Sequence, residues 1–377
     1  MSYSVLSKLS HSSGKGLVQG ALVLLSAASM MIADPAPAEG HRRGGIQTFA
    51  RTPADPGFPE GIAVHGNRVY VSGPATFGTA GKGPSKIFVY GTNSEDLKST
   101  ITVAGEALDA EHALTCVAVD GPGRVYALST QLGLLRFTRA GHTYVQESYG
   151  APLPDLPACA AAAPGAACSP TLIDLPPLPN DIVFDEDGYA YVTDSFQATI
   201  FRYAPGGGAP EIWFQSEALA GGGPQPFGVN GIRLDPTREH VYVSMTFTLA
   251  DPSVGAVYRI PLVDAPEEAD LEVVHEYTGG QSPDGIAFGK SGKLYVTLAG
   301  ANAISVLDED GVEASRIESS PCDEIPLDAP ANVAFNDAKD TLLIVNHALL
   351  SGNPDNFAVL KVRVGDEADP LEKPWLP

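Results

Sequence analysis

Glu60, Asn180, Asn230 and Asp284 are the residues whose types and spacing could do chemistry. Each stands immediately before a short run: Gly61-Ile62-Ala63-Val64, Asp181-Ile182-Val183-Phe184, Gly231-Ile232-Arg233-Leu234 and Gly285-Ile286-Ala287-Phe288. Two carboxylates and two amide carbonyls, with no His or Cys, make a hard donor set suited to Ca2+ and, less well, to Mg2+ or Mn2+. Zn2+ ranks lower because it prefers imidazole or thiolate. Two negative charges balance one divalent ion. Such an ion polarises a carbonyl or phosphoryl oxygen and lowers the pKa of a water, and Asp284 is then the group to remove a proton or to attack directly. Any one of these residues alone reads as an ordinary turn residue, since Asn and Asp are common beside Pro and Gly. The argument rests on four of them in equivalent places.

The places are equivalent because one short pattern recurs. A residue at the head of an apolar strand is followed by a polar turn and a second strand rich in Tyr and Val, as in Asn180 through Asp185-Glu186-Asp187-Gly188 to Tyr189-Ala190-Tyr191-Val192. Acidic-Gly turns between β-branched and aromatic runs signal hairpins. Six copies recur roughly 50 to 60 residues apart, headed by Glu60, Cys116, Asn180, Asn230, Asp284 and Asn332. Third strands follow at Lys86–Tyr90, Thr199–Tyr203 and Ala303–Leu307. This period matches four-stranded propeller blades, and radial stacking buries faces that a lone hairpin cannot. The expectation is an all-β chain, a six-bladed β-propeller with four-stranded blades. The strand-heading residues then ring one mouth of the central channel.

In that register Cys116 is a poor calcium ligand, expected to pack or to form a disulfide. Asn332 is expected to bind the metal, contact substrate or hydrogen-bond behind the ligands. His112, Phe196, Phe247 and His347 fall in or near connecting segments and are candidates for shaping the pocket. Gly78-Thr79-Ala80-Gly81-Lys82-Gly83 is no phosphate loop, because no Ser or Thr follows the Lys and no helix follows the loop. The acidic runs at Asp185 and Asp308 lack the spaced ligands of an EF-hand. No G-x-S-x-G elbow occurs.

The composition agrees. Forty Gly and 32 Pro in 377 residues fit a chain of many turns, and 44% hydrophobic residues support a large core. The formal charge of −22 argues against nucleic acid and anionic membranes as partners and leaves a small-molecule substrate. Lys8, His11 and Lys15 precede an apolar run from Gly16 to Ile32, and Ala36-Pro37-Ala38 offers a cleavage site. Residues 1–38 therefore read as a signal peptide and the protein as secreted or periplasmic, with no membrane span in the mature chain. Residues 39–56 read as a flexible lead-in, 57–377 as the propeller, and 150–178 as a loop insertion over one face. Export permits disulfides. Cys159 and Cys168 flank an Ala-rich stretch that a local bridge would staple, which leaves Cys116 and Cys322; sequence permits three connectivities.

Pro59-Glu60-Gly61, Pro179-Asn180-Asp181, Val229-Asn230-Gly231 and Pro283-Asp284-Gly285 resemble, in type and order, the metal-ligand motifs of the regucalcin/gluconolactonase (senescence marker protein-like) family. Diisopropyl fluorophosphatase and the paraoxonases are more distant relatives. The resemblance spans almost the whole mature chain. It implies a calcium-dependent six-bladed propeller that hydrolyses lactones or related esters, in some members organophosphates. Asp284 would be the proton acceptor or nucleophile, with Glu60, Asn180 and Asn230 holding the ion. The chain departs from the pattern at Cys116, where some relatives place a substrate-binding polar residue. It departs again in the cysteine-flanked insertion, and in lacking a copy of the second calcium site of some members. Competing readings are a non-hydrolytic binding propeller and a strictosidine-synthase-like condensing enzyme, which would not need the four-ligand set.

Overall fold

The computed structural model describes residues 45–75, 77–336 and 340–377. The signal-peptide reading, and the first part of the lead-in, lie outside these residues. Six four-stranded antiparallel sheets form the architecture. Blade one is built from Ile62–His65, Arg68–Gly73, Lys86–Gly91 and Leu97–Thr102. Blade two has Leu114–Val119, Val125–Ser129, Gly133–Ala140 and Thr143–Gly150, and blade three Pro179–Phe184, Ala190–Asp194, Thr199–Tyr203 and Glu211–Gln215. Blade four has Val229–Leu234, His240–Met245, Gly255–Pro261 and Glu272–Tyr277, and blade five Pro283–Phe288, Leu294–Leu298, Ala303–Leu307 and Glu313–Glu318. The first strand of each blade touches the first strand of the next, and blade six touches blade one, so the inner strands close a ring. Among the described residues the helical segments are four three-residue 3-10 turns. No helix among them is long and apolar enough to cross a membrane.

Blade six closes the circle in a way the sequence reading did not foresee. Pro330–Phe335, Thr341–Asn346 and Ala358–Arg363 supply three strands, and Gln47–Arg51 supplies the outermost one. These five residues were expected within a flexible lead-in. Phe49 and Ala50 are instead buried, and the strand pairs from Gln47 with Lys361 to Arg51 with Ala358, with a bulge at Phe49. Pairing this amino-terminal strand with Ala358–Arg363 in one sheet ties the seam of the ring. The carboxy-terminal tail takes another course, burying Leu376 against Tyr126 and Phe184 of blades two and three.

The recurring Tyr of the second strand explains how the blades adhere. Tyr126, Tyr242 and Tyr295 meet Phe184, Phe288 and Phe335 of the following blade edge to face, with ring centres 5.2, 5.0 and 5.2 Å apart. Edge-to-face aromatic pairs contribute about 0.5–1.5 kcal/mol beyond the area they bury. The alternation of the strand puts Tyr between blades and leaves the following Val on the opposite face.

The insertion over residues 150–178 carries the bridge Cys159–Cys168, as its spacing suggested. The other two cysteines do not pair: Cys116 is buried and Cys322 exposed, and both are free.

Candidate functional site

The strand pairing fixes a common register for all six inner strands. Ile62, Val117, Ile182, Ile232, Ile286 and Val333 pair with Val71, Ala127, Val192, Val243, Val296 and Ile344, the residue after the hairpin Tyr or its equivalent. Counting back two residues gives Glu60, Thr115, Asn180, Asn230, Asp284 and Ala331. Counting back one gives Gly61, Cys116, Asp181, Gly231, Gly285 and Asn332. The sequence reading placed Cys116 and Asn332 with the four oxygen donors, but they belong one residue deeper. Counting from the second-strand Tyr, rather than from the start of the apolar run, would have shown this.

The outer layer lines a single pocket of about 130 Å³ at the channel mouth, with Glu60, Asn180, Asn230, Asp284, Thr115 and His347 among its walls. Four donors distant in sequence thus share one cavity. Glu60, Asn180 and Asn230 are buried, and Asp284 keeps part of its surface open to the pocket. The backbone geometry explains the glycine after three of the four. A Cβ at Gly61 would lie 2.5 Å from the Cα of Cys116, and one at Gly285 would lie 2.6 Å from the Cα of Asn332. Neighbouring inner strands approach too closely here for any side chain.

A row of hydroxyls, which the sequence reading missed, holds the donors' backbones. Gly61 N–H and Gly231 N–H donate to Ser72 and Ser244 Oγ at 3.0 and 2.8 Å. Thr193 donates to the carbonyl of Asn230, Ser244 to that of Asp284 and Thr297 to that of Ala331. Each hydroxyl sits on the second strand of its blade, and those of Thr193, Ser244 and Thr297 fix the strand-heading residue of the next. The signal was present as Tyr-Val-Ser or Tyr-Val-Thr in blades one, three, four and five.

The two carboxylates of the mouth share it with no Lys or Arg among the described lining residues. Burial, then the charges of Asp284 and Asp181, hold the Glu60 carboxyl well above the ordinary range. Burial and Asp181 raise Asp284 as well, while the Asn230 amide and the Gly285 N–H act the other way. Asn230 Nδ2 donates to Thr246 Oγ1 at 2.9 Å, which turns Oδ1 into a buried atom with no partner. Glu60 Oε2 is likewise buried without a hydrogen bond. His347 Nδ1 lies 3.1 Å from it but off the hydrogen-bonding geometry, and His347 Nε2 has no partner either. Burial pushes the His347 pKa down to about 3, so the ring is neutral near pH 7 and adds no countercharge. Buried oxygens left bare are costly unless something binds them. Among the described residues no group of three or more His, Cys, Asp and Glu side chains is placed to hold a metal. The donor set here is a mixed one, two carboxylates with two amides, and its chemistry fits a hard divalent ion.

Beneath the mouth the polar groups are satisfied. Asp181 Oδ2 accepts from Arg233 Nη1 at 2.6 Å and from Ile232 N–H at 3.1 Å, and Oδ1 accepts from Ile182 N–H at 2.8 Å. The Cys116 thiol donates to Asp181 Oδ1, 2.7 Å away. Burial and the Asp181 charge push the thiol's pKa well up, so it stays protonated. Asn332 Oδ1 accepts from Val333 N–H and faces Arg233 at 3.5 Å. Of the further candidates, Phe247 lines the mouth pocket and Phe196 packs on Phe227 beside it. His112 instead binds the carbonyls of Ala110 and Gly83 with its two ring nitrogens and joins loops. A larger cleft of about 380 Å³, lined by Arg68, Lys98, Arg139 and His142, lies at the turns that end the blade-one and blade-two strands and contains none of the oxygen donors.

Residues 108–348 match the family model described as the SMP-30/gluconolactonase/LRE-like region. Asn180, Asn230, Asp284 and His347 fall inside the match, and Glu60 precedes it. The calcium-binding protein regucalcin from Agrobacterium tumefaciens str. C58 superposes with a TM-score of 0.59 at 16% identity, covering 89% of this chain and 98% of that one. A gluconolactonase from Xanthomonas campestris gives 0.52 at 15% identity, over 84% and 87% of the two chains. A luciferin-regenerating enzyme gives 0.53 at 13% identity, over 87% and 96%. No curated protein matches the chain. Likenesses at this identity establish the fold, and the match over more than half of the sequence establishes kinship: the chain belongs to the SMP-30/gluconolactonase/LRE-like family.

Proposed function

We propose that the protein is a divalent-cation-dependent hydrolase of lactones or related esters, with Ca2+ as the ion and the channel mouth as the active site. The observation that carries this reading is the pair of buried, unpartnered oxygens, Glu60 Oε2 and Asn230 Oδ1, in one pocket with Asn180 and Asp284. Family membership supports the hydrolase class, and the regucalcin and gluconolactonase names of its structural relatives are in keeping with both ion and reaction. Glu60, Asn180, Asn230 and Asp284 would hold the ion. When bound, it would supply Lewis-acid polarisation of the substrate carbonyl and countercharge for the oxyanion.

The chain's own residues supply the rest. Asp284 accepts the proton of the water that adds to the acyl carbon, or attacks that carbon itself. The Asn230 amide orients its carboxylate, and Thr246 orients Asn230. Thr246 is in turn fixed by the Pro283 carbonyl at 3.0 Å, which ties both ligands to one backbone. Phe77, Phe227 and Phe247 wall the pocket and exclude bulk water, so charges inside interact strongly. The charged and then apolar amino terminus supports export by a cleaved signal peptide.

The test is turnover of a panel of sugar lactones, alkyl lactones, aryl esters and phosphotriesters, with and without chelator. Hydrolysis of a lactone or ester that chelator abolishes and Ca2+ restores is the expected result. Metal binding without turnover of any member would make the protein a binding propeller, and turnover indifferent to chelator would remove the ion from the mechanism.

A further inference from the structure

We infer that the substrate is an alkyl-substituted lactone or ester whose apolar chain lies in a trough running from the channel mouth to the disulfide-stapled insertion. This rests on the hydrolase reading and names the substrate class of the same site. Beside the oxygen donors the mouth is lined by five large apolar side chains, Phe77, Phe227, Phe247, Leu349 and Leu350. A sugar lactone carries a hydroxyl on nearly every carbon and needs a matching set of donors and acceptors. These five side chains offer it none.

The apolar lining does not end at the pocket. Phe227 packs on Phe196 with ring centres 5.2 Å apart, and Phe196 is part of the wall of a second cleft of about 270 Å³. Leu172, Ile173 and Leu175 of the insertion and Leu249 form its other walls, with Gly221, Gly222 and Gly223 on one side. The glycines cannot carry side chains into it: a Cβ at Gly222 would lie 2.5 Å from the Thr248 carbonyl oxygen. Leu172 and Ile173 are 76% and 50% exposed, large apolar surfaces facing water beside an apolar cleft.

The insertion is held in place as a wall. The buried Gln197 side chain accepts from Leu156 N–H at 2.6 Å and donates to the Pro154 carbonyl at 3.0 Å. Ser169 Oγ donates to the Gln197 carbonyl at 3.2 Å, and Thr171 Oγ1 to the Ile173 carbonyl at 3.0 Å. With the Cys159–Cys168 bridge, these contacts fix the segment that carries Leu172 and Ile173 next to Phe196. The Phe196–Phe227 pair thus joins the wall of this cleft to the wall of the pocket that holds the oxygen donors.

The experiment measures kcat/KM for δ-lactones with side chains from none to decyl, together with glucono-δ-lactone, on the Ca2+-loaded protein. The expected rise is about two- to fourfold for each buried methylene, with the sugar lactone the poorest substrate. In the double variant Leu172→Ser/Ile173→Ser the long-to-short ratio should fall about tenfold. A flat or inverted series with lactone turnover intact overturns the inference and leaves the hydrolase reading standing. If no lactone is turned over, calorimetric binding of the non-hydrolysable decyl-δ-lactam decides: binding weakened by the double variant supports the trough, and no binding, or binding the variant leaves unchanged, overturns it.

Discussion

Two adjacent layers of one channel treat their carboxylates in opposite ways. In the lower layer Asp181 is fully buried and fully satisfied by Arg233, two backbone N–H groups and the Cys116 thiol. In the upper layer burial holds both the Glu60 and the Asp284 carboxyls up, Asp284 raises Glu60 further, and bare oxygens face a shared pocket. The layers are one residue apart on the same strands, with the same walls and the same backbone twist. Burial of a charge therefore does not mark a functional site by itself. What distinguishes the mouth is polar atoms that are desolvated and yet left unpaired.

The largest expected effect comes from removing the base in the upper layer. Asp284→Asn should lower hydrolysis by about 10^2–10^4-fold with the unfolding temperature near the parent's, as loss of a general base does. Steady-state kinetics with thermal unfolding check it, and turnover within about threefold of the parent would remove Asp284 from its role. In the lower layer the expected loss is of stability. Arg233→Met strips Asp181 of its ion pair and should cost about 3–5 kcal/mol in denaturant unfolding, much of it recovered by adding Asp181→Asn. If Arg233→Met is as stable as the parent, the lower layer is not the satisfied one described here. The smallest effect is that of Cys116→Ala, about 1–2 kcal/mol, because Asp181 keeps three N–H donors when the thiol is lost. A larger loss would show that the thiol contributes more to the layer than one hydrogen bond.

The difference between the layers also explains what could be read from the sequence. The hairpins were legible because their turns and Tyr-Val strands obey local rules, and third strands such as Thr199–Tyr203 and Ala303–Leu307 stand where the pattern set them. Glu60, Asn180, Asn230 and Asp284 were legible because each directly heads an inner strand. Cys116 and Asn332 were set one residue too high because the apolar run after each begins a residue later, and only the pairing partners fix the register. Gln47–Arg51 could not be recognised as a strand since its partner, Ala358–Arg363, lies at the far end of the chain. The Cys159–Cys168 bridge follows from local spacing, whereas the fate of Cys116 depends on Asp181 in the next blade. Local chemistry was readable, and contacts between blades were not.

Calorimetric titration of chelator-stripped protein with Ca2+ tests the central claim most directly. One site per chain is predicted, weakened at least tenfold by Glu60→Gln and little changed by Cys116→Ala. No saturable binding at millimolar Ca2+, or binding that Glu60→Gln leaves untouched, would contradict the assignment of the channel mouth as a cation site.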